Sequence, residues 1–382
     1  MLFQKILGQE FIKKHLTTSV DGKRVAHAQL FVGSSGSGVL PCAIAYAQYL
    51  ICNNSEGENT GGNVSCNLKF DHLAHPDLHF AYPVATTDAI KSHPVSDNFA
   101  KEWRSFVDSN PYGSLYDWHQ HIGIEKKQGK IGVDEAQDIV RKLSLKSYEG
   151  GYKVMIIWMA DKMNNAASNK LLKLIEEPPQ KTVFLLIAEN EDHIIDTIKS
   201  RCQVLNFPPL AAESLENALI TSHNCNAAEA KKLAIKAHGD YNLALHLLEH
   251  SSDEEEFETW FVSWVRTAFK ARGNKKAILD LISWSEQIAG TGRETQKNFL
   301  TYCEDFFRQA MLLNYGAKEL VYLQPQTKFE LAKFAPFIHG NNISSIIEEL
   351  QTASYHIERN GNAKIVLTDL SIKLTRLLHT KA

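Results

Sequence analysis

His27-Ala28-Gln29-Leu30-Phe31-Val32, then Gly33-Ser34-Ser35-Gly36-Ser37-Gly38-Val39-Leu40, then an alanine-rich run to Leu50, reads as strand, glycine loop and helix. That order is the local geometry of a Walker A phosphate cradle. In a working cradle the loop is followed by a lysine that reaches the β/γ-phosphates and a Ser or Thr that holds Mg²⁺. Val39 and Leu40 stand in those two places. A valine cannot neutralise a triphosphate and a leucine cannot coordinate a metal. Gly33, Gly36 and Gly38 therefore keep the backbone form of a cradle whose charged chemistry is gone.

A second element points the same way. Lys153-Val154-Met155-Ile156-Ile157, an apolar run after Gly150-Gly151, reads as a buried parallel strand. ATPases of this layout place two acidic residues next, one for Mg²⁺ and one for the attacking water. Trp158 and Met159 occupy those positions. Asp161 lies further along, and its spacing to Asn169-Lys170-Leu171-Leu172 argues against counting it as the missing carboxylate. Glu176-Glu177 close a helix before Pro178-Pro179 and read as scaffold, not as metal ligands. Thr182–Ala188 is another core strand, leading to Ile198-Lys199-Ser200-Arg201-Cys202-Gln203.

Taken in order, these pieces resemble the bacterial DNA polymerase III clamp-loader subunits of the AAA+ class. The resemblance is carried by Ile6-Leu7-Gly8-Gln9-Glu10, Ala26–Phe31, His75-Pro76-Asp77, Asn169–Leu172, Glu176–Pro179 and Ser200-Arg201-Cys202, spread over roughly the first two hundred residues. It implies a parallel-sheet P-loop domain over residues 1–210, a small helical lid over 211–252 and an all-helical, oligomerising collar over 253–382. The fold class is thus α/β followed by all-α. With the P-loop lysine and the acidic pair both replaced, the likeness within the family is to the delta-prime type and not to the ATP-hydrolysing gamma/tau type.

The resemblance also implies a mechanism. In this family the Ser-Arg-Cys arginine acts in trans, so Arg201, flanked by Ser200 and Cys202, would project toward ATP bound by a neighbouring subunit. A permanent, planar, five-donor charge suits a triphosphate whose charge moves during hydrolysis. Taken alone, Arg201 would read as an ordinary surface arginine in an ion pair. The implied partners are gamma/tau and delta subunits and, through the complex, the sliding clamp and primed DNA. The chain itself would be a non-hydrolysing component of the DNA polymerase III holoenzyme, with no cofactor expected. The alternative is a gamma/tau-like subunit that still binds nucleotide through the backbone N–H groups of its glycine loop.

Composition sets limits. A chain of 382 residues exceeds one core, so two or three domains are expected. With 41 basic and 44 acidic residues the formal charge is −3, which gives no global nucleic-acid signature and weighs against a free-standing DNA-binding module. No stretch reaches the length of a membrane span, and Met1–Lys5 lacks a signal-peptide hydrophobic region. Six irregularly spaced cysteines do not make a disulfide framework, so the expectation is a reducing cytoplasm.

The resemblance also brings a departure. The gamma and delta-prime members usually carry four cysteines after the P-loop helix, holding zinc. Only the outer pair, Cys52 and Cys66, stands here. Two thiolates do not close a tetrahedral site, and no zinc is expected. His72 and His75 could complete a Cys₂His₂ set, although His75 belongs to the His-Pro-Asp turn. The polar 53–63 tract reads as a mobile loop. A metal hydrolase built on His72, His75, Asp77 and His79 is a rival reading, but that cluster has no helical H-x-x-x-H face.

Further along, residues 83–130 form a long, irregular insertion carrying Trp103, Tyr116 and Trp118, with no assigned role. Glu135–Lys146 offers Ile139, Val140 and Leu143 as one helical face. In the lid, Gly239-Asp240-Tyr241-Asn242 has Asn242 where active lids carry a phosphate-sensing arginine, although Asp240 near an N-cap explains the residues equally well. The last segment opens on acidic Asp253–Glu256. It then repeats apolar residues at helical spacing: Trp260, Phe261, Trp264, Val265 and Ala268; Phe299, Tyr302, Phe306 and Leu313; Val366, Leu370, Leu374 and Leu377. In a collar, part of this stripe would be buried only on assembly.

Overall fold

The computed structural model describes residues 2–52, 64–124, 127–148, 151–249, 254–323, 325, 327 and 329–381. The chain divides into two compact units, Met1–Leu248 and Glu249–Ala382. In the first, α1 (Glu10–Asp21) leads to β1 (Ala28–Val32) and α2 (Val39–Cys52), and α3 (Val64–Asp71) leads to β2 (Leu78–Ala81). Next come α4 (Ala100–Ser109), α5 (Leu115–His121), α6 (Val133–Ser144) and β3 (Lys153–Ile157). After α7 (Asn165–Glu176) follow β4 (Thr182–Ala188), the short α8 (Asp196–Lys199) and β5 (Gln203–Asn206). The three helices α9 (Ala212–His223), α10 (Ala227–Lys236) and α11 (Tyr241–Glu249) then follow.

The five strands pair in the order β2-β3-β4-β1-β5, and every pair is parallel. Parallel neighbours need crossovers, and helices on both faces supply them. Every residue of β3 and β4 is buried, which is why their apolar runs show no alternation. Alternate side chains serve two cores: Val154 and Ile156 join α2 on one face, and Met155 and Ile157 join α6 and α7 on the other. On α6 the buried face is Ala136, Ile139 and Leu143, whereas Val140 is 36% exposed, one residue round the helix from Ile139.

The 83–130 insertion is not a loose excursion. Trp103 from α4 stacks on Tyr82 with ring centroids 4.1 Å apart, and Trp118 from α5 donates from Nε1 to the Pro83 carbonyl at 2.8 Å. Both tryptophans are 2% exposed or less. A buried carboxylate fastens the insertion to α6: Ser96 N–H donates to Glu135 Oε2 at 2.6 Å. Burial pushes the Glu135 carboxyl up to about 7 against that hydrogen bond and the nearby Lys142 charge. The fold therefore prefers the protonated acid, so this group's contribution is fully present below its unfolded value near 4.5 and is lost as pH rises to about 7. Glu135→Gln is expected to raise unfolding stability at pH 8 by roughly 3 kcal/mol and to leave it nearly unchanged at pH 4. Urea unfolding of both proteins at the two pH values checks this. Equal effects at both would remove the carboxyl as the cause.

Cys52 and Cys66 depart from the sequence expectation of reduced thiols. They form a disulfide, because the end of α2 and the start of α3 bring their Cα atoms to 5.6 Å. Oxidised sulfurs are not the thiolates that ligate zinc. The 53–63 tract expected to be a mobile loop lies outside the described residues.

The second unit is helical: α12 (Glu254–Lys270), α13 (Lys275–Ala289), α14 (Arg293–Asn314), α15 (Leu331–Phe334), α16 (Ile343–Glu358) and α17 (Ala363–Leu377). The aromatic stripe is its core. Trp264 and Trp284 stack at 5.0 Å, and their indole N–H groups donate to Ser371 Oγ and the Trp260 carbonyl. Trp260, Phe261, Trp264, Phe299 and Phe306 are buried, in a cluster made of this unit's own residues. The apolar side chains left outward are mostly others, Leu279 at 65% and Ile365 at 66% exposed among them. Among the described residues, no helix is long and apolar enough to cross a membrane.

Candidate functional site

The glycine loop follows the C-terminal end of β1, where ligands gather in open parallel sheets. Gly36 and Gly38 hold φ of 72° and 92°, the left-handed region that only glycine enters cheaply. Ser37 turns inward, its N–H and hydroxyl both donating to the Ser34 carbonyl. Gln9 clamps the loop from outside, donating to the carbonyls of Ser37 and Pro208 at 2.9 and 2.7 Å. Val39 and Leu40 start α2 and are 5% and 4% exposed, packed as core. Strand, glycine loop and helix follow one another in the order the sequence predicts.

Its interior is taken. Only about 20 Å³ stays open between the loop, Pro111, Tyr112, Trp158, Met159 and Glu189, room for about one water. Tyr112, from the insertion, lies against the loop: a Cβ on Gly38 would come within 3.3 Å of its ring. Its hydroxyl accepts from the Leu7 N–H at 2.9 Å. Trp158 is 2% exposed and joins an aromatic cluster, 5.2 Å from Trp103 and 6.0 Å from Phe106 between centroids. The residue standing in the catalytic carboxylate position thus packs against the insertion. Asp161, set aside as a substitute acid, is turned into an ion pair with Lys162 at 2.7 Å and does not line the cleft.

Two carboxylates stand beside the glycine loop. Glu189, at the end of β4, lines the cleft and accepts from the Ser35 hydroxyl. Asp240 lies directly over Gly36 and caps α11, its Oδ1 accepting from Leu243 N–H at 2.9 Å. Burial pushes Asp240 up to about 6, against hydrogen bonds from the Leu243 and Asn242 amides.

The lid is latched to the same insertion. Asn242, where a phosphate-sensing arginine would stand, is 5% exposed. It accepts from Asn110 at 2.6 Å and donates to Asp117 Oδ2 at 2.7 Å. His246 meets Asp117 Oδ1 at 3.1 Å. Burial alone would raise Asp117, but the hydrogen bonds from His246 and Ser114 hold it at about 2. Tyr241 N–H donates to the Gly36 carbonyl at 3.1 Å, and its ring meets Tyr112 edge-on at 5.0 Å. Sequence reading missed Tyr112, Asn110, Asp117 and Glu189.

Arg201 stands elsewhere. It leaves the turn after α8, two residues before β5, and β5 runs parallel to β1 with Gln203 opposite Gln29 and Asn206 opposite Val32. The glycine loop and Arg201 therefore lie at opposite ends of the same strand pair, separated by its four paired residues, roughly 13 Å of extended chain. Arg201 does not line the cleft. Its Nε and Nη2 meet Glu176 Oε2 at 3.0 and 2.9 Å, and its Nη1 donates to the Thr197 carbonyl at 2.8 Å. Ser200 is exposed, and burial pushes the half-buried Cys202 thiol up to about 11.

The histidines of the rival metal reading serve other ends. His75 Nδ1 accepts from the Asp77 N–H at 3.1 Å inside the His-Pro-Asp turn, and Asp77 Oδ1 accepts from Tyr148 N–H at 2.8 Å. Burial lowers His79 to about 4. Among the described residues, no three His, Cys, Asp or Glu side chains gather as a metal site would require.

Residues 8–211, more than half of the chain, match the family described as DNA polymerase III, delta subunit. The chain is 30% identical over 212 residues to DNA polymerase III subunit delta' of Bacillus subtilis, covering 56% of this chain and 51% of that one. It is 42% identical over 192 residues to subunit delta' of Pseudomonas aeruginosa, covering 50% and 46%. It is 26% identical over 254 residues to subunit tau of Bacillus subtilis, covering 65% and 37%. The chain spans about half the length of the delta' relatives it matches.

Proposed function

The chain belongs to the DNA polymerase III delta-subunit family, and from that premise we propose that it is a delta-prime-type clamp-loader subunit that hydrolyses no ATP itself and lends Arg201 to a neighbour. Its partners in this reading are gamma/tau and delta subunits. Through them it helps open a sliding clamp and set it on primed DNA. The helical unit after residue 252 serves as the collar that joins the ring, and the lid and sheet region fill one ring position. The work is cytoplasmic and needs no bound cofactor.

One observation carries this reading: Arg201 and the chain's own cleft are at opposite ends of the sheet. An arginine about 7 Å long cannot cross roughly 13 Å of strand to act on a phosphate in its own subunit. A neighbour's triphosphate is the target that fits such a placement. Loss of Lys, hydroxyl and acidic pair at Val39, Leu40, Trp158 and Met159 supports the same reading from the other side, since phosphoryl transfer runs on those charges.

Trp158 gives the test its reporter, because it lines the cleft. Titration of the isolated protein with Mg²⁺-ATP to millimolar levels is expected to leave tryptophan emission and calorimetric heat unchanged, with no phosphate released. Saturable micromolar binding with steady Mg²⁺-dependent turnover, abolished by Gly38→Asp, would replace this reading with the gamma/tau-like alternative.

A further inference from the structure

We propose that Glu176 is a positioning residue for Arg201, holding the guanidinium from behind so that its front edge faces two oxygens of a neighbouring triphosphate. This deepens the reading of Arg201 as acting in trans and rests on it. A guanidinium has five N–H donors. Two are engaged in hydrogen bonds, Nε by Glu176 Oε2 and one on Nη1 by the Thr197 carbonyl, and Nη2 lies 2.9 Å from the same Glu176 oxygen as an ion pair. At least one N–H on each terminal nitrogen is left over. Donors on both terminal nitrogens are what a pair of phosphate oxygens can accept from.

The brace is mounted on rigid parts. Glu176 is the last residue of α7, one position after Ile175, which is fully buried. The turn that carries Arg201 is pinned by Ile198, also fully buried. The pair itself is solvated, with side-chain exposures of 33% for Arg201 and 54% for Glu176. An ion pair this wet adds little to the fold. What it does supply is direction, by removing the rotamers in which a long, free arginine would point elsewhere. The Glu176-Glu177-Pro178-Pro179 motif thereby acquires a role, since the prolines end the helix and leave its final carboxylate beside the finger.

The test uses the clamp loader reconstituted with its ATPase subunits and either wild type, Glu176→Ala, Glu176→Gln or Arg201→Ala of this chain. Steady-state ATP turnover and affinity for ADP–aluminium fluoride, a stand-in for the transferring phosphate, are the two readouts. Glu176→Ala is expected to lower kcat about two- to fivefold, the scale of an exposed pair, with KM unchanged and analogue affinity reduced in parallel. Glu176→Gln, whose amide oxygen still accepts from Nε, should recover most of the loss. Adding Glu176→Ala to Arg201→Ala should make the complex no worse than Arg201→Ala alone. If Glu176→Ala raises turnover, the carboxylate sequesters the arginine and the brace is wrong. If it changes neither readout while Arg201→Ala lowers both, the brace fails and the trans reading survives. If Arg201→Ala matches wild type, the trans reading fails and this inference goes with it.

Discussion

Arg201→Ala is expected to leave the subunit folded and able to assemble, yet to cut clamp- and DNA-stimulated ATP hydrolysis by the complex. The folding cost is small because the side chain is one-third exposed and its partner Glu176 more so. Such pairs are worth about 0–1 kcal/mol, or a few degrees in Tm at most. The catalytic cost is of another order. An arginine that meets the transferring phosphate contributes about 10³–10⁵ in rate at its own site. Other sites in the ring keep their own arginines, so loss for the whole complex is partial unless the sites fire together. Arg201→Lys should rescue poorly, because an ammonium lacks the planar fork. Arg141→Ala, on a side chain 75% exposed, is the control. Wild-type clamp loading by an assembled Arg201→Ala complex would reduce Arg201 to a structural arginine.

The second large effect concerns an attempted repair. Trp158→Asp restores an acid at the position where an ATPase would have one, and it is expected to unfold the first unit instead of activating it. Trp158 is 2% exposed among Trp103, Phe106 and its neighbours. Removing a buried tryptophan costs about 3–5 kcal/mol. A carboxyl left in that aromatic cluster adds a further penalty on the order of a few kcal/mol, whether it stays charged or binds a proton. The total rivals the roughly 5–15 kcal/mol that holds a whole domain together. Thermal unfolding followed by circular dichroism measures it. A variant with wild-type Tm and new Mg²⁺-ATP binding would mean that the aromatic cluster is dispensable and the cleft can reopen.

Much of this was legible in the sequence, and the rest was hidden for physical reasons. The three inner strands announced themselves because strands covered on both faces are continuously apolar, as in Val154–Ile157 and Val183–Ala188. The two edge strands did not. Leu78-His79-Phe80-Ala81 and Gln203-Val204-Leu205-Asn206 are four residues each and mixed in polarity, since an edge is covered on fewer sides. Replacement residues at the cradle were readable one by one, but only as losses. Trp158 packs on Trp103, Tyr112 lies on the loop, and Asn242 ties the lid to Asp117. These are contacts between segments far apart in the chain, 125 residues in the last case, which no local pattern encodes. The insertion without an assigned role is what these replacements pack against. The pairing of Arg201 with Glu176 was hidden in the same way, 25 residues apart.

The strand order carries a cost during synthesis. β1 is made early but lies between β4 and β5, so Val32 finds its partners Ala188 and Asn206 only after some two hundred residues have left the ribosome. At about 5–20 residues per second, that leaves β1 unpaired for roughly ten to thirty seconds. The helix that follows is no safer: every residue of α2 except Tyr49 is buried in the finished protein. A nascent chain therefore shows an apolar strand and an apolar helix to the cell long before it can cover them. Its yield should depend on the chaperones that meet it at the exit tunnel, and slower translation would lengthen that exposure.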